Sequence, residues 1–220
     1  MARLRLAVLI SGRGTNLQSL IDSCADAGYP AEIGIVISNN PDAGGLERAA
    51  RAGIAARTVD HRPFADREAF ERALDSVLNE ADTGLVCLAG FMRLLTPWFV
   101  ERWRDRLINI HPSLLPAFPG LDTHARVLAA GARISGCTVH FVRAEMDRGP
   151  IVVQAAVPVV EGDDEARLAA RVLAAEHRAY PLAVRLIAEG RVRVAGYRCV
   201  IDGEEEPGAT LFSPSSPSRP

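Results

Sequence analysis

Hydrophobic residues fall along this chain in two rhythms. Leu4–Ile10 is a nearly continuous apolar run, the pattern of a strand buried on both faces of a parallel sheet. After the glycine turn Ser11–Gly14 the spacing changes. Leu17, Leu20, Ile21 and Cys24 recur at helical intervals and predict a helix over Thr15–Ala27. The alternation then repeats. Ala31–Ser38 reads as a second strand, Ala43–Ala52 as a short helix stopped by Gly53, and Ile54–Val59 as a third strand. Asp66–Ala81 predicts a helix with Phe70, Leu74 and Val77 on one face, and Gly84–Ala89 and Leu107–Ile110 read as buried strands four and five. This order predicts an α/β fold: an open, mostly parallel twisted sheet with helices on both faces, Rossmann-like in plan.

The second half follows a different pattern. Thr138–Val142 and Ile151–Pro158 predict strands joined by a turn around Asp147–Pro150, giving the C-terminal part antiparallel strands. Asp164–Ile187 predicts a long helix, bent or interrupted near Pro181. Arg191–Val194 and Tyr197–Ile201 could pair as a final hairpin. From Gly203 the chain turns acidic and then Ser/Pro-rich, the composition of a disordered tail. The expected organisation is one domain over residues 1–202 and a tail over 203–220. There is no internal repeat.

Composition narrows the chemistry. Of 220 residues, 48% are apolar and only 5% aromatic, so the core must be built mainly from Ala, Val, Leu and Ile. All 25 basic residues are arginine and none is lysine. That excludes a Schiff-base lysine, a pyridoxal-phosphate anchor and a lysine-bearing phosphate loop of the GxxxxGK[ST] type. A phosphate must be held by arginine, backbone N–H groups or neutral side chains. A net charge of −2 gives no electrostatic case for nucleic acid. Cys24, Cys87, Cys137 and Cys199 are far apart and form no CxxC pair; reduced thiols, no metal cluster and a cytoplasmic protein are expected. The N-terminal apolar run is too short for a signal peptide, and no stretch approaches the roughly 20 apolar residues of a membrane span.

Two segments carry candidate chemistry. The first is the strand–glycine turn–helix LAVLISGRGTNLQSLID. Gly12 and Gly14 allow close backbone approach, and the N–H groups of Gly14, Thr15 and Asn16 would face out of a helix start, where an anion is favoured. Leu17 replaces the third glycine of a dinucleotide fingerprint, so a monophosphate fits better. An ordinary tight turn with Thr15 capping the helix explains the same residues equally well. The second segment is Asn109-Ile110-His111-Pro112. Residues i and i+2 of a strand share a face, so Asn109 and His111 project together from the carboxyl end of the sheet, where α/β proteins bind ligands. An amide donor beside an imidazole suits an oxyanion, with Asp147 in the turn MDRGP as the candidate to raise the imidazole pKa. A structural hydrogen-bonding role is the competing explanation. His140 reads as a ligand contact or a satisfied core residue, the second preferred. His61, His124 and His177 show no comparable grouping, and His124 reads as a cap or surface residue near a helix start.

These residues resemble the phosphoribosylglycinamide formyltransferases, members of the folate-dependent formyltransferase superfamily. The likeness runs from about Leu6 to Arg193 through LISGRGTNLQSLID, CLAGFMRLL, NIHPSLLPAFPGLDTHARVL, GCTVHFVRAEMDRGPIVVQAAVPV and AEHRAYPLAVR. NIHPSLLP with a distant MDxGP marks the superfamily, and the SGxG[ST]NL start narrows it. The resemblance implies transfer of a formyl group from 10-formyltetrahydrofolate, a co-substrate, to the amine of glycinamide ribonucleotide in purine biosynthesis, without a metal. It implies that Gly14, Thr15 and Asn16 hold the phosphate, with Glu176 on the ribose hydroxyls and Leu173, Ala174 and Ala175 lining that site. Met92, Arg93, Leu94 and Leu95 would contact the folate, Arg143, Ala144, Glu145, Met146 and Asp147 would form the opposite wall, and Arg67 would meet the benzoylglutamate end. Asn109 would hold the formyl oxygen, His111 act as the acid and Asp147 raise its pKa. Arg13 inside the glycine loop and Arg148 after Asp147 depart from the pattern.

The rivals are a formyltetrahydrofolate hydrolase, expected to carry an extra N-terminal domain, and a non-catalytic sensor of a phosphorylated metabolite. A methionyl-tRNA formyltransferase would need a further C-terminal nucleic-acid-binding domain. Expected partners are small-molecule substrates, with no nucleic acid and no membrane, and a monomer or homodimer.

Overall fold

The computed structural model describes residues 2–203 and 211–213. Strands β1 (Leu4–Ile10), β2 (Ala31–Ser38), β3 (Ala56–Thr58), β4 (Leu85–Leu88), β5 (Leu107–His111), β6 (Ile134–Phe141) and β7 (Ile151–Pro158) form one seven-stranded sheet in the order β3-β2-β1-β4-β5-β6-β7. Every pairing among β1 to β5 is parallel, and β6 and β7 add antiparallel.

Alternation along the strands divides the core in two. Leu6, Val8 and Ile10 of β1 point to one face, where they meet Leu17 and Leu20 of α1 (Thr15–Cys24) and Val172, Tyr180 and Val184 of α6 (Glu165–Ala188). Ala7 and Leu9 point to the other, against Phe70, Leu74 and Leu78 of α3 (Arg67–Glu80) and Phe99 of α4 (Pro97–Arg102). Helices α2 (Gly44–Arg51) and α5 (Thr123–Ala129) complete the first face through Ala49 and Val127. The buried parallel strands are thus covered on both sides, which their continuous apolar runs require.

After β3 the chain returns to lay β4 beside β1. This reversal of strand order opens a crevice above the carboxyl ends of β1 and β4. Tyr180 of α6 ties the far side of the crevice to the sheet, donating its hydroxyl to Leu88 O at 2.9 Å.

Several elements differ from the sequence expectation. Helix α6 runs unbroken through Pro181. A proline inside a helix forfeits one backbone bond and costs roughly 3 kcal/mol. Here Tyr180, Pro181, Ala183 and Val184 are all buried, and Tyr29 donates its hydroxyl to Pro181 O at 2.7 Å, so tertiary packing holds the segment helical. Strand β6 begins at Ile134, four residues ahead of the expected Thr138, because Ile134–Cys137 pair with Ala155–Pro158 of β7. Helix α4 was absent from the sequence pattern, and α5 was expected only as a helix start near His124. Each is under two turns, too short for periodicity, and α4 relies on Thr96 capping Phe99 N with Pro97 in its first turn. The hairpin forms from β8 (Val192–Ala195) and β9 (Arg198–Ile201). The expected tail lies, apart from 203 and 211–213, outside the described residues.

Candidate active site

The glycine loop is built by backbone, not side chains. Gly14 is left-handed, with φ of 69°, and occupies the N-cap position of α1. A Cβ there would stand 2.7 Å from Gly45 Cα, so α2 packs directly on the loop, with Gly45 N donating to Gly12 O at 3.0 Å. Thr15 is the first helical residue and does not cap; among the described residues no side chain caps the α1 N-terminus. The capping alternative for Thr15 therefore fails, and the first-turn N–H groups stay open to an anion. Asn16 turns inward and donates from Nδ2 to Glu176 Oε2 at 2.7 Å, while its Oδ1 has no partner among the described residues. Burial pushes the Glu176 carboxyl above its ordinary pKa, and the Asn16 hydrogen bond opposes this. Leu173–Ala175 form the preceding turn of α6.

Ser11 joins this loop to the next. Its hydroxyl donates to Asn39 Oδ1 at 2.5 Å and accepts from Met92 N at 2.8 Å, and Ser11 N donates to Gly90 O at 3.1 Å. The loops after β1, β2 and β4 are thereby one unit. Sequence reasoning passed over Ser11, since a serine beside glycines reads as generic turn chemistry.

Beyond Gly90 lies a cleft of about 360 Å³. Met92–Leu95 form one wall, Val142–Ala144 with Met146 and Asp147 the other, and Asn109, His111 and His140 line it as well. Every residue expected for the folate pocket lines this cleft except Arg67 and Glu145. Arg67 is exposed at the first turn of α3. Arg143 is already engaged, paired with Asp105 and donating to Val142 O at 2.9 Å. Met92, Leu94 and Met146 expose 70%, 61% and 56% of their surface at the cleft, an apolar lip that water alone covers poorly.

Strand pairing assembles the polar part. Asn109 stands opposite His140, and His111 opposite Thr138, so Asn109, His111 and His140 share one face. Strand β5 extends one residue beyond the expected Ile110, making His111 its last residue. His111 is buried, with Nε2 3.0 Å from Phe118 O and Nδ1 3.5 Å from Asp147 Oδ2. Both ring nitrogens thus face acceptors, an arrangement that can bind the doubly protonated ring at each end. Gly120 N donates to Asp147 Oδ2 at 2.8 Å and fixes the carboxylate. Thr138 secures the intervening loop, donating to Ser113 O at 2.7 Å and accepting from Leu115 N at 3.0 Å. The chain contacts Phe118 O and Gly120 N carry no sequence signal, being backbone.

The other histidines correct the sequence reading. His140 is not a satisfied core residue: its Nε2 is buried without a partner among the described residues and it lines the cleft. His124 does not cap α5, since Asp122 holds the N-cap position; it is half-buried, with Nδ1 buried and without a partner among the described residues. Cys24, Cys87, Cys137 and Cys199 are free thiols. Among the described residues no group of His, Cys, Asp and Glu could hold a metal ion, and no helix is long and apolar enough to cross a membrane.

A profile described as formyl transferase matches residues 4–184. The chain belongs to the formyl transferase family. It is 45% identical over 204 residues to the phosphoribosylglycinamide formyltransferase of Escherichia coli strain K12, covering 93% of this chain and 96% of that protein. It is 50% identical over 190 residues to the bovine trifunctional purine biosynthetic protein adenosine-3, covering 86% of this chain but only 19% of that protein. The chain therefore spans about a fifth of such trifunctional relatives. Among solved structures, glycinamide ribonucleotide transformylase 1 from Symbiobacterium toebii superposes with a TM-score of 0.89 at 50% identity, over 90% of this chain and 94% of that one. In this formyl transferase the glycine loop and the cleft adjoin through Ser11, and Asn109, His111 and Asp147 lie together in the cleft.

Proposed function

We propose that this chain transfers the formyl group of 10-formyltetrahydrofolate to the amine of 5′-phosphoribosylglycinamide; the names of its relatives support formyl transfer to that ribonucleotide. The observation that carries the reading is the meeting of Asn109, His111 and Asp147 in one cleft beside a helix start with open N–H groups. A non-catalytic sensor of a phosphorylated metabolite would need only the helix start. The first-turn N–H groups of Gly14, Thr15 and Asn16 take the phosphate, and Glu176, held by Asn16, takes the ribose hydroxyls with Leu173–Ala175 alongside. The apolar lip and the backbone of Met92–Leu95 take the pterin against Arg143–Asp147. Arg67, outside the cleft lining, is left to meet the distal glutamate of the folate as it extends past α3.

The chemistry is acyl transfer. The substrate amine attacks the formyl carbon, and negative charge gathers on the formyl oxygen. Asn109 donates to that oxygen and His111 supplies charge or a proton, a stabilisation worth about 10²–10³ in rate for each donor. Asp147 orients His111 and accepts the proton that the amine sheds, which returns to N10 as tetrahydrofolate leaves. Purified protein mixed with 10-formyltetrahydrofolate should change folate absorbance only when the ribonucleotide is present. Turnover without it would instead support the hydrolase, and none in either mixture the sensor.

A further inference from the structure

His140 is 2% exposed, yet its Nε2 has no hydrogen-bond partner among the described residues. Leaving a buried polar atom unpaired costs about 1–3 kcal/mol, so the arrangement calls for a reason. The other ring nitrogen fixes the tautomer. Nδ1 lies 3.0 Å from Phe141 O, which can only accept, so Nδ1 carries the hydrogen and Nε2 presents a lone pair. That lone pair faces Asp147 Oδ1 at 3.8 Å. An ionised carboxylate also only accepts. Two acceptors therefore confront each other, and one proton between them would turn repulsion into a hydrogen bond.

The surroundings reserve this spot. Asp147 Oδ2 is committed to Gly120 N and to His111, which leaves Oδ1 for a proton. The β6–β7 register shifts between Val139 and His140, the kind of irregularity that re-aims a side chain beside a site. The charged groups facing His140 are Asp147 from the turn after β6, Arg143 from the segment following β6 and His111 from β5. Burial, the largest influence, holds the His140 ring below the ordinary imidazole pKa; the Phe141 carbonyl and Asp147 oppose it, and His111 and Arg143 reinforce it. The ring keeps its free lone pair at neutral pH.

We infer that His140 Nε2 and Asp147 Oδ1 form a way station for the transferred proton, an inference that rests on the formyl-transfer reading. As the amine lone pair forms the new C–N bond, its N–H breaks and an Oδ1–H bond forms. That O–H donates to His140 Nε2, which gains no covalent proton. When the C–N10 bond breaks, its electron pair goes to N10, which takes the same proton from Oδ1. His140 is a positioning residue acting through Asp147.

The test compares His140→Leu, which has no acceptor, with His140→Gln, whose amide oxygen reaches the place of Nε2. For His140→Leu, kcat should fall about ten- to a hundredfold with both KM values within threefold, and the acid limb of the kcat profile should move to lower pH. His140→Gln should recover most of the rate. A folded His140→Leu with kcat within threefold of wild type and an unmoved acid limb overturns the inference, as does a His140→Gln as slow as His140→Leu. If His140→Leu fails to fold, His140→Gln decides alone: near-normal kcat supports the way station, and a kcat lowered tenfold or more overturns it. No transfer in the wild type overturns the formyl-transfer reading and this inference together; transfer in the wild type with an unaltered His140→Leu overturns the inference alone.

Discussion

The glycine loop after β1 and the polar floor of the cleft on β5 and β6 belong to one sheet, with β4 between them, yet they are built from opposite materials. The loop offers main-chain N–H groups, shaped by Gly14 at φ 69° and by the contact of Gly14 with Gly45. The cleft offers side chains, Asn109, His111 and His140, gathered by strand pairing and held against Asp147. A main-chain site tolerates changes of side chain but not an added Cβ. A side-chain site behaves the other way: its chemistry depends on which side chains stand there. This difference also accommodates the absence of lysine, because the phosphate is left to amides and the reacting amine belongs to the substrate.

The largest expected effect falls on the cleft. Asn109→Ala and His111→Ala should each lower kcat by about 10²–10³. A kcat near that of wild type in either variant, read by folate absorbance, removes the residue from the oxyanion. The loop should respond in the reverse manner. Gly14→Ala puts a Cβ 2.7 Å from Gly45 Cα in a left-handed backbone; the backbone alone costs about 1–2 kcal/mol, the contact adds to it, and the ribonucleotide KM should rise about tenfold. Thr15→Ala, which removes no cap, should change stability by less than about 0.5 kcal/mol. Denaturant unfolding and ribonucleotide titration check both; a Thr15 variant harmed as much as the Gly14 variant breaks the distinction.

Ser11 lies between the two regions. Ser11→Ala removes the hydroxyl that binds Asn39 and Met92 and should raise both KM values together, by about two- to tenfold. A change confined to one substrate would sever the link between the sites. The smallest effect is on stability against pH. Burial raises the folded Glu176 pKa above the unfolded value of about 4.3. The folded state then binds this proton more tightly, so its contribution is fully present below the unfolded value and is lost as pH rises through the raised one. Glu176→Gln cannot titrate. Its melting temperature relative to wild type should therefore climb across that window, and a constant difference would show that Glu176 is not raised.

The sequence revealed the fold where one rhythm ran long enough. Leu4–Ile10 and Ala31–Ser38 matched their strands residue for residue, because each carries a buried apolar run, Leu6–Ile10 in the first and Ile35–Ile37 in the second. It missed α4 and marked α5 only by a helix start near His124, because each holds too few residues for a period to emerge. No interruption occurs at Pro181, because a local rule about proline yielded to burial of residues on the α6 face. In the cleft, Asn109 and His111 were legible from strand alternation. That Asp147 reaches His111, that Phe118 O and Gly120 N fix the pair, and that His140 enters the cleft all depend on pairings between residues distant in sequence.

The most direct test follows the carbon itself. The protein is mixed with 10-formyltetrahydrofolate labelled at the formyl carbon and with 5′-phosphoribosylglycinamide, and products are resolved by mass spectrometry. The account predicts that the label arrives on the ribonucleotide amine at a rate that collapses in His111→Ala. Label recovered as free formate, at the same rate with or without the ribonucleotide, would contradict it.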